Sequence, residues 1–169
     1  MNNPESQESH ELSDSPNQWS SLAEEPSFEE HMAEEDKESD YIDIESIDIS
    51  TEQGKYNWLD AVYHNAHLTE EEELAQAVAD GDADSIAEAK RNLAETEMAQ
   101  NLLVNQIDYE DDILATIRKE RDLAAEKQSS LGDNAPDKAK DYADLKCSAL
   151  GRMAFLLDQE IERREKRND

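Results

Sequence analysis

The pattern of apolar and polar positions divides the chain into a polar N-terminal segment and a helical remainder. From residue 55 onward, apolar residues recur at spacings of three and four, which is the repeat of an amphipathic α-helix. The pattern predicts helices near residues 56–66, 69–80, 85–128 and 136–167. Strand-like alternation is nearly absent outside residues 41–49. The sequence therefore predicts an all-α domain over residues 55–169, built as a helical hairpin or small bundle of long helices.

Local start and stop signals set the predicted helix boundaries. Thr69 with Glu72, and Ser85 with Glu88, have the spacing of a capping box, which marks a helix N-terminus. Gly81 suits the left-handed end of a helix. Neither proline nor glycine occurs from residue 82 to residue 131. Residues 85–128 therefore form either one long helix or two helices broken near residues 105–112, where acidic residues crowd.

The first 54 residues have the composition of a disordered acidic tail. They contain 17 acidic residues and one basic residue, Lys37, and few large aliphatic side chains. The apolar residues come in small groups among acids and serines, which is typical of disordered segments that fold against a partner. These groups give the predicted partner-binding residues Trp19, Leu22, Phe28, Ile42, Ile44, Ile47 and Ile49.

The isoleucines of residues 42–49 permit two interpretations. Ile42 and Ile44 alternate as in a strand, and so do Ile47 and Ile49, but the parity changes between the two pairs. The group fits a bulged strand that adds to the sheet edge of a partner. It fits equally well a linker whose isoleucines pack on the helical domain of the same chain.

Net charge excludes several classes of function. The chain has 16 basic and 44 acidic residues, for a formal charge of −28. Binding to nucleic acid or to an anionic membrane requires clustered lysine and arginine, so we expect neither. The longest aliphatic runs are too short to span a bilayer. The single cysteine, Cys147, suits a reducing compartment, and we expect a cytoplasmic protein.

No constellation of catalytic or cofactor-binding residues emerges from the sequence. His64 and His67 share a helical face, but no further histidine or cysteine stands at ligand spacing. Asp80, Asp82 and Asp84 imitate the start of a calcium-binding loop, yet the positions that need glycine and glutamate hold Ser85 and Arg91. Cys147 has no histidine near it in sequence and is interpreted as a structural thiol. We expect no catalytic residue, no cofactor and no bound metal.

Two clusters of charged residues are predicted to form surfaces. Carboxylates on rigid helices can imitate the phosphates of DNA, although a well-solvated helix face has the same composition. Basic residues at the end of the last helix form a basic tip, which also stabilises a helix C-terminus. The acidic surface comprises Glu70, Glu71, Glu73, Asp108, Glu110, Asp111 and Asp112, and the basic tip comprises Arg163, Arg164, Lys166 and Arg167.

We therefore expect a non-catalytic acidic interaction protein, such as an adaptor, a chaperone or an assembly factor. Its partner is expected to be a protein that offers a basic or apolar groove. The alternative is an inhibitor or regulator of a DNA-binding protein or of RNA polymerase that acts by charge mimicry. Because the predicted core is modest, we also expect self-association or an obligate complex.

Three local motifs stand between residues 58 and 98. They are Trp58-Leu-Asp-Ala-Val-Tyr, Leu68-Thr-Glu-Glu-Glu-Glu-Leu-Ala, and Val78-Ala-Asp-Gly-Asp before a helix with Ala89 and Leu93. Together they resemble region 1.2 and the beginning of region 2 of bacterial primary-type sigma factors. The similarity ends after the Gly-Asp pair, where Ala94 to Met98 replace the Leu-Arg-rich helix of that family. The resemblance implies a truncated docking module on RNA polymerase, with a core of Trp58, Leu59, Leu68, Leu74 and Val78.

Overall fold

The computed structural model describes residues 40–168, which form four α-helices and, within that range, no β-strand. The helices are α1 (Glu52–Asp80), α2 (Ala83–Gln106), α3 (Ile113–Ser130) and α4 (Asp137–Asn168). A short 3₁₀ helix, Ile44–Ser46, precedes α1. The prediction of an all-α fold is confirmed. The predicted disorder of residues 1–39 lies outside the described residues, as do Trp19, Leu22 and Phe28.

The four helices form two helical hairpins that share one core. α1 packs on α2, α3 packs on α4, and the contact between α2 and α4 joins the hairpins. The apolar stripes of the helices meet in this core, where the largest fully buried side chains of the described residues lie. They are Tyr63, Leu59, Leu102, Leu103, Ile113, Ile117, Leu150, Met153, Leu157 and Thr96. None of the described helices is both long and apolar enough to cross a membrane.

The first hairpin contains one long helix where the sequence pattern predicts two. α1 runs without interruption through residues 67 and 68, so the predicted division into 56–66 and 69–80 is wrong. Thr69 does not cap a helix, because its hydroxyl donates a hydrogen bond to the carbonyl of Asn65 one turn earlier. No proline or glycine stands between Lys55 and Asp80 to end the helix earlier.

The junction between α1 and α2 is a two-residue turn. Gly81 adopts φ 72° and donates its backbone N–H to the carbonyls of Ala77 and Val78, as a left-handed helix end requires. Asp82 caps α2 by accepting from the backbone N–H of Asp84, so the predicted cap at Ser85 is wrong by three residues. Ser85 instead donates its hydroxyl to the carboxylate of Asp82 at 2.5 Å.

Residues 107–112 separate α2 from α3, so the stretch 85–128 is two helices and not one. Asp112 caps α3 by accepting from the backbone N–H of Ala115. A second acceptor comes from the other hairpin, because the Glu52 carboxylate accepts from the Ile113 backbone N–H at 2.8 Å. Tyr109 contacts the ring of Tyr56 edge-on, with ring centroids 5.4 Å apart. These contacts hold the loop against the start of α1.

The folded domain begins before the predicted boundary at residue 55. Residues 40–51 belong to it, since Ile49 is buried in the core and Thr51 caps α1 by accepting from the backbone N–H of Gly54. The predicted tail, residues 1–54, therefore ends in a segment that is part of the helical domain. The resemblance to sigma factors implies that Val78 is a core residue, but its side chain is 57% exposed.

Candidate functional site

The predicted isoleucine anchors lie mostly against the helices of their own chain. Ile49 is 7% exposed and belongs to the core, and Ile44 and Ile47 are partly buried against it. Ile42 is 42% exposed, but its backbone is held on both sides by Asn65. The Asn65 side-chain amide accepts from the Ile42 N–H at 2.8 Å and donates to the Ile42 carbonyl at 2.7 Å. This placement corresponds to the linker interpretation of residues 42–49.

Three arginines near the end of α4 fasten this segment to the bundle. Arg164 donates to the backbone carbonyls of Ile44 and Ile47. Arg163 and Arg167 contact the Glu45 carboxylate at 2.8 and 3.2 Å. The buried Glu160 carboxylate organises the cluster, since it accepts from both Arg163 and Arg164 at 2.6 Å. We call Glu45, Glu160, Arg163, Arg164 and Arg167 the clasp.

The clasp changes the assignment of the predicted basic tip. Carboxylates and carbonyls of the same chain bind Arg163, Arg164 and Arg167. Lys166 pairs with Glu162 at 3.3 Å. The physical reason is helical spacing, because Arg164 lies four residues after Glu160 and seven after the buried Leu157. It therefore stands at the edge of the buried face. The predicted basic tip is therefore paired within the chain, and its contact with an acidic surface of a partner stays a prediction.

Both carboxylates of the clasp are held in the charged form. The hydrogen bond from Arg163, followed by the one from Arg164, keeps the pKa of Glu160 below its ordinary value of 4.5. The hydrogen bond from Arg163 likewise lowers the pKa of Glu45, with a smaller contribution from Arg167. A carboxylate with a depressed pKa stabilises the fold above its unfolded pKa, and this contribution is lost as the pH falls through the folded pKa. The clasp should therefore weaken below about pH 4.5.

Glu160→Gln tests this pH dependence. We expect the substitution to lower the free energy of unfolding by about 1–3 kcal/mol at pH 7, because a buried carboxylate loses charge-assisted hydrogen bonds. The difference from the native chain should shrink as the pH falls below 4.5 and through the lower folded-state pKa of Glu160, where its carboxylate becomes neutral. Urea unfolding at several pH values measures both quantities.

The matched control is Glu162→Gln, two residues after Glu160. This substitution removes an exposed ion pair between Glu162 and Lys166. We expect it to change the stability by less than about 0.5 kcal/mol at every pH. Equal effects of the two substitutions at neutral pH, or a loss for Glu160→Gln that does not depend on pH, would contradict the role of the clasp.

The predicted acidic surface is distributed over two places. Glu71 and Glu73 are exposed on the second half of α1, whereas Asp108, Glu110, Asp111 and Asp112 are exposed in the loop beside the start of α1. With a rise of 1.5 Å per residue, the two groups lie about 30 Å apart along the helix. Asp112 also caps α3. The structure therefore does not join these residues into one patch.

Glu70 does not belong to the acidic surface. It is 7% exposed, and Arg152 of α4 approaches its carboxylate at 3.9 Å. Glu70 lies seven residues after Tyr63 and seven before Ala77, both of which are buried, so helical spacing places it on the inner face. The prediction of Glu70 as a surface charge is therefore wrong. The spacing of seven residues from Tyr63 indicates that Glu70 is buried, whereas the prediction considered only that Glu70 belongs to a run of four glutamates.

Exposed negative charge is concentrated on the first half of the domain. Residues 40–112, which we call the acidic half, contain 20 acidic and three basic residues, and 17 of the carboxylates are exposed. Residues 113–168 contain 11 acidic and 12 basic residues. The acidic half therefore has a strong negative field that the second half does not share.

A groove in the second hairpin was not found by sequence reasoning. It lies between α3 and the start of α4, has a volume of about 770 Å³ and carries lysines around apolar side chains. Leu123 and Tyr142 in its wall are 48% and 53% exposed. The sequence shows apolar positions on both α3 and α4. Only the pairing of these two helices shows that the positions face each other and form a groove.

The potentially reactive side chains of Cys147, His64 and His67 lie among the described residues. Burial raises the pKa of the Cys147 thiol, which is opposite to the shift of an activated nucleophile. His64 is held by the Asp40 carbonyl at 3.0 Å, and His67 lies 3.4 Å from Glu71. Within residues 40–168, no group of three or more His, Cys, Asp or Glu side chains is placed to hold a metal ion.

No protein-family model matches the chain, and neither a curated protein nor a solved structure matches it.

Proposed function

We propose that the chain is a non-catalytic interaction protein whose acidic half binds a basic surface of a partner protein. The supporting observation is the exposure of 17 carboxylates among residues 40–112, where only three basic residues occur. Such a field accelerates and orients association with a positively charged surface. An adaptor or assembly factor of a reducing cytoplasm fits this chemistry, since the chain has a single cysteine.

A second candidate function is inhibition of a DNA-binding protein or of RNA polymerase by charge mimicry. One observation favours it: the exposed carboxylates of Glu71 and Glu73 on α1 lie about 30 Å along that helix from the acidic loop 108–112, close to the roughly 34 Å of one turn of DNA. A cleft that holds two phosphate clusters one turn apart would accept such a rod. A sigma-like docking module on RNA polymerase, which the resemblance of residues 58–98 implies, is a separate form of this alternative.

The experiment compares the native full-length chain with two charge variants in capture of partners from a cell extract. The acidic-half variant neutralises four exposed carboxylates, and the control variant neutralises four exposed carboxylates of the second hairpin. The first carries Glu71→Gln, Glu73→Gln, Glu110→Gln and Asp111→Asn, and the second carries Glu126→Gln, Asp133→Asn, Asp141→Asn and Glu165→Gln.

We expect the acidic-half variant to lose its basic partners at physiological salt, with affinity reduced about tenfold or more, because four attractive charges are removed from the acidic half. The control variant has the same change in net charge, but its substitutions lie outside the acidic half, so it should retain these partners. Equal capture by all three proteins would contradict the proposal. Displacement of DNA from the captured partner by the native chain would select mimicry over an adaptor role.

A further inference from the structure

The groove between α3 and α4 has an apolar floor that the bundle leaves uncovered. α3 supplies Leu123 and Ala124, Leu131 follows directly after α3, and α4 supplies Ala139 and Tyr142. Leu123 and Tyr142 are about half exposed although both are large apolar residues. The described residues offer no side chain that covers them. The groove therefore resembles the hydrophobic grooves in which partner helices bind.

Three lysines surround this floor in a chain that is otherwise strongly acidic. Lys127 lies on α3, and Lys138 and Lys146 lie on α4. Lys146 donates to the side-chain carbonyl of Gln106 at 2.8 Å. The ammonium groups of Lys127 and Lys138 make no hydrogen bond or ion pair with any of residues 40–168, and Lys127 accepts a hydrogen bond from Ser130 through its backbone carbonyl only. Two of the three ammonium groups are therefore available to an anionic ligand.

The shape of the groove indicates the size of its occupant. On α4 the lining positions run from Lys138 to Lys146, which spans about two helical turns and about 12 Å. Leu123 and Tyr142 in its wall are about half exposed, so the groove is open to solvent at these side chains, whereas a pocket for a small ligand encloses most of that ligand. A short amphipathic helix with two or three apolar anchors matches these dimensions.

We propose that the groove between α3 and α4 binds an acidic amphipathic helix of a partner protein. The apolar anchors of that helix pack on Leu123 and Tyr142, and its flanking carboxylates pair with Lys127 and Lys138. The chain then has two chemically opposite binding surfaces, one for a basic partner and one for an acidic partner. This second surface does not depend on the first, so either proposal can fail alone.

The test is an NMR titration of the ¹⁵N-labelled full-length chain with a defined peptide. The probe is a helix-forming peptide of about 15 residues with leucines at spacings of three and four and glutamates on the remaining face. A shuffled peptide of the same composition and a peptide with lysines in place of glutamates are the controls. NMR detects binding in the millimolar range, so weak recognition is also measured.

We expect saturable changes of the backbone amide signals of Leu123, Ala139 and Tyr142 with the acidic amphipathic peptide only. Lys127→Glu/Lys138→Glu should weaken binding about tenfold or more, because attraction becomes repulsion. The matched control, Lys90→Glu/Arg91→Glu, makes the same change in charge on α2 and should alter the affinity by less than about twofold. Neither variant removes a hydrogen bond or ion pair within residues 40–168.

Several results would overturn the proposal. They are the absence of amide changes at millimolar peptide, equal binding of the shuffled peptide, and unchanged affinity of the Lys127→Glu/Lys138→Glu variant. If decanoate shifts these amides and the peptide does not, the groove is a site for a small amphipathic anion. If the same signals move with protein concentration alone, the occupant is a second copy of the chain.

Discussion

Gly54→Ala is expected to displace residues 40–50 from α1 and to lower the free energy of unfolding by about 2–3 kcal/mol. A methyl group at this position would lie 1.7 Å from the carbonyl oxygen of Asp48 and 3.1 Å from the Thr51 hydroxyl. The obstructing atom belongs to the backbone, so no side-chain rotation relieves the contact. Gly54 is therefore required by the close approach of the N-terminal segment. Urea unfolding measures the loss of stability, and the amide signals of Ile42 and Ile47 report the displacement.

The matched control for Gly54→Ala is Gly151→Ala in α4. Apart from the adjacent residues and the backbone of its own helix, no atom lies within 4 Å of the added methyl group there. We expect this substitution to stabilise the protein by about 0.5–1 kcal/mol, since alanine favours a helix interior over glycine. If Gly54→Ala behaved like Gly151→Ala, residues 40–50 would not be packed on α1 as described.

Leu150→Ala is expected to destabilise the whole bundle by about 2–5 kcal/mol. Leu150 is fully buried on α4, the helix that contacts both α2 and α3. Removal of its side chain leaves a cavity in the core that holds the two hairpins together. Because small domains have about 5–15 kcal/mol of stability, the loss is a large part of the total. Thermal and urea unfolding should both show one cooperative transition at reduced stability.

Phe155→Ala is the control for the core substitution. Phe155 lies on the same helix but is 62% exposed, so its truncation should change the stability by less than about 0.5 kcal/mol. A similar loss for Phe155→Ala and Leu150→Ala would show that the buried stripe of α4 is wrongly assigned. Separate transitions for the two hairpins would contradict a shared core.

The sequence predicted the fold class because helical periodicity is a local property. The end of α1 at Gly81 and the start of α4 next to Pro136 were also predictable, since each depends on one residue with restricted or unusual backbone geometry. The division of α1 was wrong because a capping-box spacing also occurs inside helices. Thr69 there bonds to Asn65 and not to an exposed N–H.

The candidate surfaces were harder to predict because their properties depend on tertiary contacts. Arg164 reads as part of a basic tip until the approach of Ile44 and Ile47, more than one hundred residues away, provides carbonyls for its guanidinium. Glu70 reads as one of four consecutive glutamates, yet only its spacing from Tyr63 places it inside. The lysines of the groove converge only when α3 and α4 pair. Local composition does not indicate which of these residues lie close together in the folded chain.

Binding through the acidic half makes the affinity for a basic partner depend on salt. With a basic partner captured by the native full-length chain, the affinity is measured by calorimetry over a range of salt concentrations. We expect the affinity to fall steeply with salt, and we expect the acidic-half variant with substitutions at residues 71, 73, 110 and 111 to show a weaker affinity and a shallower dependence. The control variant should follow the native chain. Affinity that is independent of salt, and equal in all three proteins, would contradict binding through the acidic half.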